Sequence, residues 1–208
     1  METIIYLIRH SKTLYEKGLR NTSESSQIIN EKEILSVEGE KLAEQLSKNI
    51  ELQNLDVIWS SSYVRAKQTA KYIANQNNLE INLDERLNER KLGNMTELAK
   101  IMKDKETRDV SREQLLDQDL KTSDGESVKD TNKRMNEFFV ELLEKYKGKR
   151  IAIISHGGAI KFFLLNYCKV TKNVKLEYKD KELDVTSPCL LRLTYENNNL
   201  LNIEQINN

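Results

Sequence analysis

The chain has 208 residues, of which 33 are basic, 33 are acidic and two are cysteines. This length suits one domain with a substantial core, and the balanced charge gives no general attraction for nucleic acid or for an anionic membrane. No apolar run approaches the ~20 residues that a membrane span needs, and Met1 leads directly into a strand-like segment without a signal peptide. Two cysteines make no disulfide framework, so we expect a protein of the reducing cytoplasm.

In the first half of the chain, strand patterns alternate with helical periodicity. The polar stretch at residues 12–33 has neither pattern and is predicted to be irregular. Ser36 is predicted to cap a helix whose inner face carries Leu42, Ala43, Leu46 and Ile50. Short apolar runs predict strands at residues 4–10, 56–60 and 81–83, and a second helix is predicted at residues 63–76.

The second half resumes this alternation after a charged interruption. Residues 91–125 are predicted to form an insertion over the rim of the sheet, with helical pieces at 96–103 and 111–118. A long helix at 126–147, a strand at 151–156 and a terminal hairpin of strands at 189–195 and 200–206 follow. The order predicts one α/β domain over residues 1–208, with three α/β/α layers, a mainly parallel sheet and an antiparallel strand at its edge.

The two histidines of the chain occupy equivalent places. His10 ends the first strand pattern directly after Arg9, and His156 ends the strand pattern at residues 151–156. Ligand crevices of parallel sheets open at the carboxyl ends of the strands, so we expect both imidazoles at one rim. Gly157 then lets the start of the next helix approach an anion closely. Two histidines and an arginine at one rim favour a phosphate site over two unrelated core histidines.

Two further charged residues follow neighbouring strands. Arg65 lies at the start of the helix after the second strand, and Glu89 comes after the third strand. Either residue alone is typical of a solvated surface. Together with the first set, they complete what phosphoryl transfer needs: guanidinium groups for phosphate oxygens, a neutral imidazole to attack phosphorus, and a carboxylic acid for the departing oxygen.

Six segments extend this pattern along most of the chain. They are residues 7–13 (LIRHSKT), 35–39 (LSVEG), 61–70 (SSYVRAKQTA), 87–93 (LNERKLG), 124–127 (DGES) and 154–158 (ISHGG). In this order and spacing they resemble the histidine phosphatases, the phosphoglycerate-mutase-like superfamily.

The resemblance assigns a role to each residue of the set. It implies that His10 is the nucleophile and forms a phosphohistidine, while Glu89 donates the proton. It implies that the phosphoryl group is held by Arg9, Arg65 and His156. We expect further substrate contacts from Ser11, Gly157 and Arg90. The resemblance implies a small phosphorylated substrate, no metal ion and no cofactor.

Three positions depart from the family's pattern. Ser11 stands where the family usually has glycine, and serine fits there if the backbone needs no positive φ. Lys12 replaces an acidic or polar residue and adds positive charge near the mouth of the site. Glu16 stands near the place of an Asn that touches the phosphate in many members. We expect these changes to affect phosphate affinity and substrate choice.

We expect a phosphomonoester phosphatase, with two alternatives. A cofactor-dependent phosphoglycerate mutase would also carry Glu89-Arg90, and the basic residues within 100–112 would suit it. Leu92, in place of the usual Tyr of the mutases, and the short insertion argue against a mutase. A catalytically inactive relative that binds phosphorylated ligands or a protein partner is opposed by the complete catalytic set. No pattern in the chain specifies the natural substrate or the oligomeric state.

Overall fold

A six-stranded mixed sheet forms the centre of the computed structural model, which describes residues 1–14, 26–105 and 109–207. In chain order the strands are β1 (Glu2–Arg9), β2 (Val57–Ser60), β3 (Ile81–Leu83), β4 (Arg150–Ser155), β5 (Lys169–Val170), β6 (Leu176–Tyr178), β7 (Lys181–Leu183), β8 (Cys189–Glu196) and β9 (Asn199–Ile206). The central sheet has the order β3-β2-β4-β1-β8-β9, and β5-β6-β7 form a separate small sheet. Because β1 to β4 are parallel while β8 runs antiparallel to β1, the predicted mainly parallel sheet with an antiparallel edge is confirmed.

Helices cover both faces of this sheet. They are α1 (Ser26–Lys32), α2 (Val37–Ser47), α3 (Val64–Asn77), α4 (Met95–Met102), α5 (Val110–Leu116), α6 (Val128–Lys145) and α7 (Gly157–Leu164). Both α4 and α5 fall within the predicted insertion. Within the described ranges, no helix combines the length and apolar character that crossing a membrane requires.

The alternation of side chains along β1 explains the three layers. Ile5 and Leu7 belong to a core cluster with residues of α6 and α7. Tyr6 and Ile8 belong to a second cluster with residues of α2 and α3 on the opposite face. Successive side chains of a strand point to opposite faces, so a strand with all four of these residues fully buried must be a middle layer. The predicted α/β/α arrangement is confirmed.

Several local features differ from the sequence prediction. Helix α2 ends at Ser47, and Ile50 lies in a 3₁₀ turn with 73% of its surface exposed, so its predicted place on the inner helix face is wrong. Helix α6 begins two residues later than predicted because Ser127 caps it, in a reciprocal capping box with Asp130. The sequence prediction missed α1 and the small sheet, since segments this short carry too few residues for a periodic signal.

Parallel pairing brings the ends of β1, β2 and β4 together. Arg9 pairs with Ser155, and Ser60 pairs with Ile154. The His10 N–H continues the ladder by donating to Ser155 O at 3.0 Å. The segments that leave these three strands therefore start at one rim, as the positions of the two histidines predict.

Helix α2 fixes the segment that follows His10. The Ser36 N–H donates to the carbonyl oxygen of Lys12 at 3.1 Å, and Gly39, one turn into the helix, packs against the same carbonyl. A Cβ atom on Gly39 would lie 1.9 Å from Lys12 O. Glycine at this position therefore allows the helix and the active-site segment to touch.

Replacing this glycine tests the contact. In Gly39→Ala, intrinsic helix propensity favours alanine by about 1 kcal/mol, whereas the collision with backbone atoms acts in the opposite direction. We expect the collision to dominate and to lower the free energy of unfolding by about 1–3 kcal/mol, as measured by urea denaturation. Lys41→Ala, an exposed position of the same helix, is the control and should change little. A Gly39→Ala protein as stable as the parent would contradict this packing.

Candidate active site

His10 lies directly after β1, and both of its ring nitrogens are hydrogen bonded. Arg65 Nε donates to His10 Nε2 at 3.1 Å, so Nε2 carries a lone pair. Nδ1 therefore bears the proton and donates it to the carbonyl oxygen of Ser11 at 2.7 Å. This tautomer makes Nε2 the nitrogen that is able to attack phosphorus.

The imidazole of His10 is neutral in the folded protein. Burial, followed by the charge of Arg65, lowers the pKa of His10 from 6.5 to about 3. Arg9 acts in the same direction, while the carboxylate of Glu89 opposes it. A neutral ring with an unprotonated Nε2 is what nucleophilic attack requires.

Arg65, at the start of α3, also contacts helix α1 and the residue that follows it. Its terminal nitrogens donate to the carbonyl oxygen of Asn30 and, at 2.9 Å, to Asn30 Oδ1. The Glu33 carboxylate lies 3.6 Å from Arg65 Nη1. Sequence reasoning misses Asn30 and Glu33, because no periodic or motif signal marks the stretch at residues 12–33.

His156 is fully buried at the end of β4, with its ring centre 5.0 Å from that of His10. Its Nε2 is hydrogen bonded to Ser61 Oγ at 2.7 Å, and Ser61 Oγ lies 2.7 Å from Asn88 Oδ1. Nδ1 is buried and has no hydrogen-bond partner among the described residues. Burial, followed by Arg65, lowers the pKa of His156 well below 6.5, so this ring is neutral as well. Sequence reasoning misses Ser61 and Asn88, although one follows β2 directly and the other immediately precedes Glu89.

Glu89 accepts three backbone hydrogen bonds. Its Oε1 accepts from the N–H groups of Arg90 at 2.9 Å and Ala159 at 3.0 Å, and its Oε2 accepts from Gly158 N–H at 3.0 Å. Burial alone would raise the pKa of Glu89, but Arg90, these N–H groups and Arg65 together lower it below its usual value. Glu89 is therefore a carboxylate in the resting protein. The proton-donor role that the resemblance implies requires that it first receive a proton.

Arg9, Gly157 and Arg90 border the same rim. Arg9 donates from Nη1 to Val185 O at 2.6 Å, while its Nε is buried without a partner in the described part of the chain. A Cβ atom on Gly157 would lie 2.9 Å from Arg9 Cζ, so glycine makes room for this guanidinium. Arg90 donates to Ser111 Oγ of α5 at 2.8 Å, which connects the insertion to the site.

A cavity of about 250 Å³ opens at this rim. Five of the predicted site residues line it: Arg9, His10, Arg65, Glu89 and Arg90. The other three, Ser11, His156 and Gly157, are buried and do not line it. The remaining wall comes from Thr13, Gln27, Asn30, Glu33, Leu92, Gly93 and Met95. The insertion and α1 thus form much of the remaining wall of the cavity.

The three departures from the family's pattern have separate outcomes. Ser11 is fully buried without a positive φ, and its N–H donates to Thr69 Oγ1 at 3.0 Å, so serine fits. Lys12 does not line the cavity and instead pairs with Glu38 of α2 at 2.5 Å on the surface. Glu16 lies outside the described residues. Within those residues, no group of three or more His, Cys, Asp or Glu side chains is arranged to hold a metal ion.

The sequence profile of the histidine phosphatase superfamily, branch 1, matches residues 5–205. The chain belongs to this superfamily. The resemblance inferred from the six segments is therefore confirmed.

Relatives in sequence carry a mutase name. A protein of Salmonella arizonae named probable phosphoglycerate mutase GpmB is 31% identical over 160 residues, which cover 75% of this chain and 70% of the relative. The protein of the same name from Salmonella choleraesuis is 30% identical over the same coverage.

Relatives in structure are described as phosphatases. The mycobacterial glucosyl-3-phosphoglycerate phosphatase superimposes with a TM-score of 0.70 at 20% identity, covering 93% of this chain and 91% of that one. A mutant phosphoserine phosphatase from Entamoeba histolytica, in complex with phosphoserine, gives a TM-score of 0.63 at 21% identity, covering 97% and 96%. The putative alpha-ribazole-5'-P phosphatase of Escherichia coli gives 0.68 at 16% identity, covering 99% and 96%. At these identities the comparisons establish the shared fold.

The two neutral histidines predict how stability depends on pH. Their pKa values are lowered in the folded state, so the unfolded chain binds more protons below pH 6.5 and stability falls as pH decreases. Between pH 6.5 and 5, each histidine should contribute a slope of up to about 1.4 kcal/mol per pH unit to the free energy of unfolding. Urea denaturation across this range measures the slope, and His10→Gln should reduce it by one histidine's share. A free energy of unfolding that stays constant over this range would contradict the buried neutral rings.

Proposed function

We propose that this protein is a phosphomonoester phosphatase that acts through a phosphohistidine on His10. The observation that carries the proposal is the tautomer of His10, whose Nε2 carries the lone pair and accepts from Arg65, at a cavity lined by Arg9, His10 and Arg65. An imidazole held in this way is a nucleophile, and two guanidinium groups stabilise the charge on a phosphoryl group in transfer.

The first chemical step forms the bond from His10 Nε2 to phosphorus and breaks the bond from phosphorus to the ester oxygen. The Arg65 Nε–H that now faces Nε2 would turn to a phosphoryl oxygen, and Arg9 would supply a second guanidinium. The departing oxygen takes a proton and leaves as an alcohol. In this proposal Glu89 passes on that proton after receiving it, and later accepts one from the water that attacks the phosphohistidine.

A phosphoglycerate mutase is the second candidate. It is favoured by the name of the relatives at 30–31% identity. Against it, the cavity presents Leu92 where the mutases typically carry a Tyr. The phosphatase hypothesis is also supported by the names of the structural relatives, which are phosphatases. An inactive relative is the weakest candidate because the five residues of the catalytic set are assembled around one rim.

The nucleophile is tested by trapping the intermediate. Rapid acid-free quenching after mixing with a phosphate-labelled aryl phosphate should trap label on His10, stable in base and labile in acid as a phosphoramidate. His10→Asn should lose both the label and phosphate release, because asparagine has no comparable nucleophile. Label on a serine, or unchanged turnover in His10→Asn, would exclude the proposed intermediate.

The same intermediate separates the two candidate activities. The phosphatase should pass its phosphoryl group to water, whereas a mutase should return it to a phosphoglycerate. We expect phosphate release to exceed conversion between phosphoglycerates when a bisphosphoglycerate is present. Transfer faster than hydrolysis by tenfold, about 1.4 kcal/mol in barrier height, would establish the mutase instead.

Glu89 should matter in proportion to the basicity of the leaving group. An alkoxide needs a proton in the transition state, whereas a nitrophenolate needs almost none. Glu89→Gln should therefore slow phosphohistidine formation from an alkyl phosphate by about 10²–10⁴-fold, and slow it much less with an aryl phosphate. Single-turnover measurements are required because hydrolysis of the intermediate also uses Glu89.

The matched control is Glu85→Gln, an exposed carboxylate four residues earlier that does not line the cavity. It should leave both rates unchanged. Equal losses with the two substrates in Glu89→Gln would mean that Glu89 only shapes the start of α7, where it holds the Gly158 and Ala159 N–H groups.

A further inference from the structure

The proton on His156 is fixed by a chain of hydrogen bonds that begins at Asn88. Asn88 Oδ1 accepts from the Ser62 backbone N–H at 2.9 Å, so the amide oxygen, and not the amide nitrogen, must face this side. The same oxygen lies 2.7 Å from Ser61 Oγ. Two oxygens at this distance require a proton between them, and only the Ser61 hydroxyl has one to give.

The hydroxyl proton of Ser61 is thereby used. Ser61 Oγ also accepts from the Tyr63 N–H at 3.2 Å, and it lies 2.7 Å from His156 Nε2. Since Ser61 has no second proton, His156 Nε2 must donate in this contact. A neutral imidazole has one N–H, so Nδ1 of His156 is left with a lone pair.

Nδ1 of His156 is therefore a hydrogen-bond acceptor, whereas an ionised phosphoryl oxygen would need a donor at this position. It is buried and has no hydrogen-bond partner among the described residues. The ring does not line the cavity itself, but its centre lies 5.0 Å from that of the His10 ring, which does. A fully ionised phosphoryl oxygen offers lone pairs only, and two lone pairs repel each other. A phosphoryl oxygen can bind Nδ1 only when a proton lies between them.

Glu89 also lacks a proton to give. Its two oxygens already accept three N–H groups, and it is ionised in the resting protein. Neither of these groups brings the proton that an alkoxide leaving group needs. The substrate is the remaining source.

We propose that the site takes its phosphomonoester as the monoanion, with the phosphate proton bound to His156 Nδ1, and that Ser61 and Asn88 are positioning residues that fix this tautomer. The inference rests on the proposed phosphatase function. The step balances in protons. Neutral His10 attacks the monoanion, and the bond from phosphorus to the ester oxygen breaks. The one phosphate proton, which lies between a phosphoryl oxygen and His156 Nδ1 on binding, is transferred to Glu89 and from Glu89 to the ester oxygen, so that the product is an alcohol. A dianion in the same step would leave as an unprotonated alkoxide.

The charged surroundings of His156 favour the same state. The groups whose charges act on its ring are Arg65 from α3, Arg134 from α6, Arg9 from β1 and, when protonated, His10. The Tyr63 ring packs against His156 edge-on at 5.1 Å between centres. All the charged groups in this set disfavour an imidazolium before substrate binds. In the proposed reaction Nδ1 of His156 is thus a hydrogen-bond acceptor, and the proton that it binds is brought by the phosphate of the substrate.

Nitrogen NMR of the ring tests the tautomer directly, because the chain has two histidines. We expect the free protein to show one ring protonated at Nδ1, which is His10, and the other at Nε2, which is His156. His10→Asn assigns the signals by removing one of them. In Asn88→Ala the Ser61 hydroxyl is free to donate to His156 Nε2, so the His156 proton should move to Nδ1. Two Nδ1-protonated rings in the parent protein would overturn the inference.

The pH profile tests the consequence. The second phosphate pKa of a phosphomonoester lies near 6. Above the pKa of its own substrate, kcat/KM should fall tenfold per pH unit. For two aryl phosphates whose second pKa values differ by one unit, these declines, the alkaline limbs of the two profiles, should therefore be displaced from each other by one pH unit. Limbs at one common pH for both substrates would assign the titration to the enzyme and overturn the inference. In Asn88→Ala the ratio of kcat/KM at pH 8.5 to that at pH 5.5 should rise at least tenfold, because Nδ1–H of His156 can then donate to an oxygen of the dianion.

Two variants control for structural damage. Ser62→Ala removes a hydroxyl that also donates to Asn88 Oδ1, at 3.0 Å, but makes no contact with His156, and its profile should match the parent. Asn88→Asp keeps an acceptor for Ser61 and should restore the alkaline limb. If Asn88→Asp behaves like Asn88→Ala, the residue serves only packing and the inference fails. Failure to trap label on His10 would instead reject the phosphatase proposal, since that experiment does not depend on the tautomer of His156.

Discussion

Burial of two neutral imidazoles beside Arg65 is the arrangement on which this site depends. The rings of His10 and His156 lie 5.0 Å apart, and the Arg65 guanidinium is 3% exposed. Parallel pairing of β4 with both β1 and β2 forces this proximity, because the residues that follow the three strands leave the sheet together. Positive charge without solvent then keeps both rings neutral, which is the form a nucleophile needs. The fold thus prepares the chemistry through its electrostatics as well as through its geometry.

The excess positive charge is balanced from outside the sheet. Glu33 and Asn30 contact Arg65 from the region of α1, and Glu89 contributes from the loop after β3. Asn30 thus occupies terminal N–H donors of Arg65, while the carboxylates of Glu33 and Glu89 offset part of its charge.

The sequence predicts the parts of this protein that have strong periodicity or sit at strand ends. The β1 and β4 patterns place His10 and His156 at one rim, and the start of α3 places Arg65, because strand direction alone determines where these residues emerge. Helix α1 has seven residues and no apolar stripe, so neither it nor Asn30 is predictable. The sequence shows that Ser61 and Asn88 lie at the ends of a strand and a loop. It does not show the direction of the hydrogen bonds between them and His156, and that direction sets the tautomer of His156.

The two histidines reach opposite tautomers by different means, and this difference separates their roles. Nδ1–H of His10 donates to the carbonyl oxygen of the next residue, so the backbone at Ser11 determines that the lone pair of the His10 ring is on Nε2. Nε2–H of His156 donates to a side chain that follows another strand, and the proton of that side chain is in turn set by Asn88. In the proposed mechanism, a change of side chain at position 61 or 88 would therefore alter the protonation of His156 and leave that of His10 unchanged. The tautomer of His10 is thus set by a main-chain carbonyl group, whereas the tautomer of His156 is set by side chains, which can be substituted.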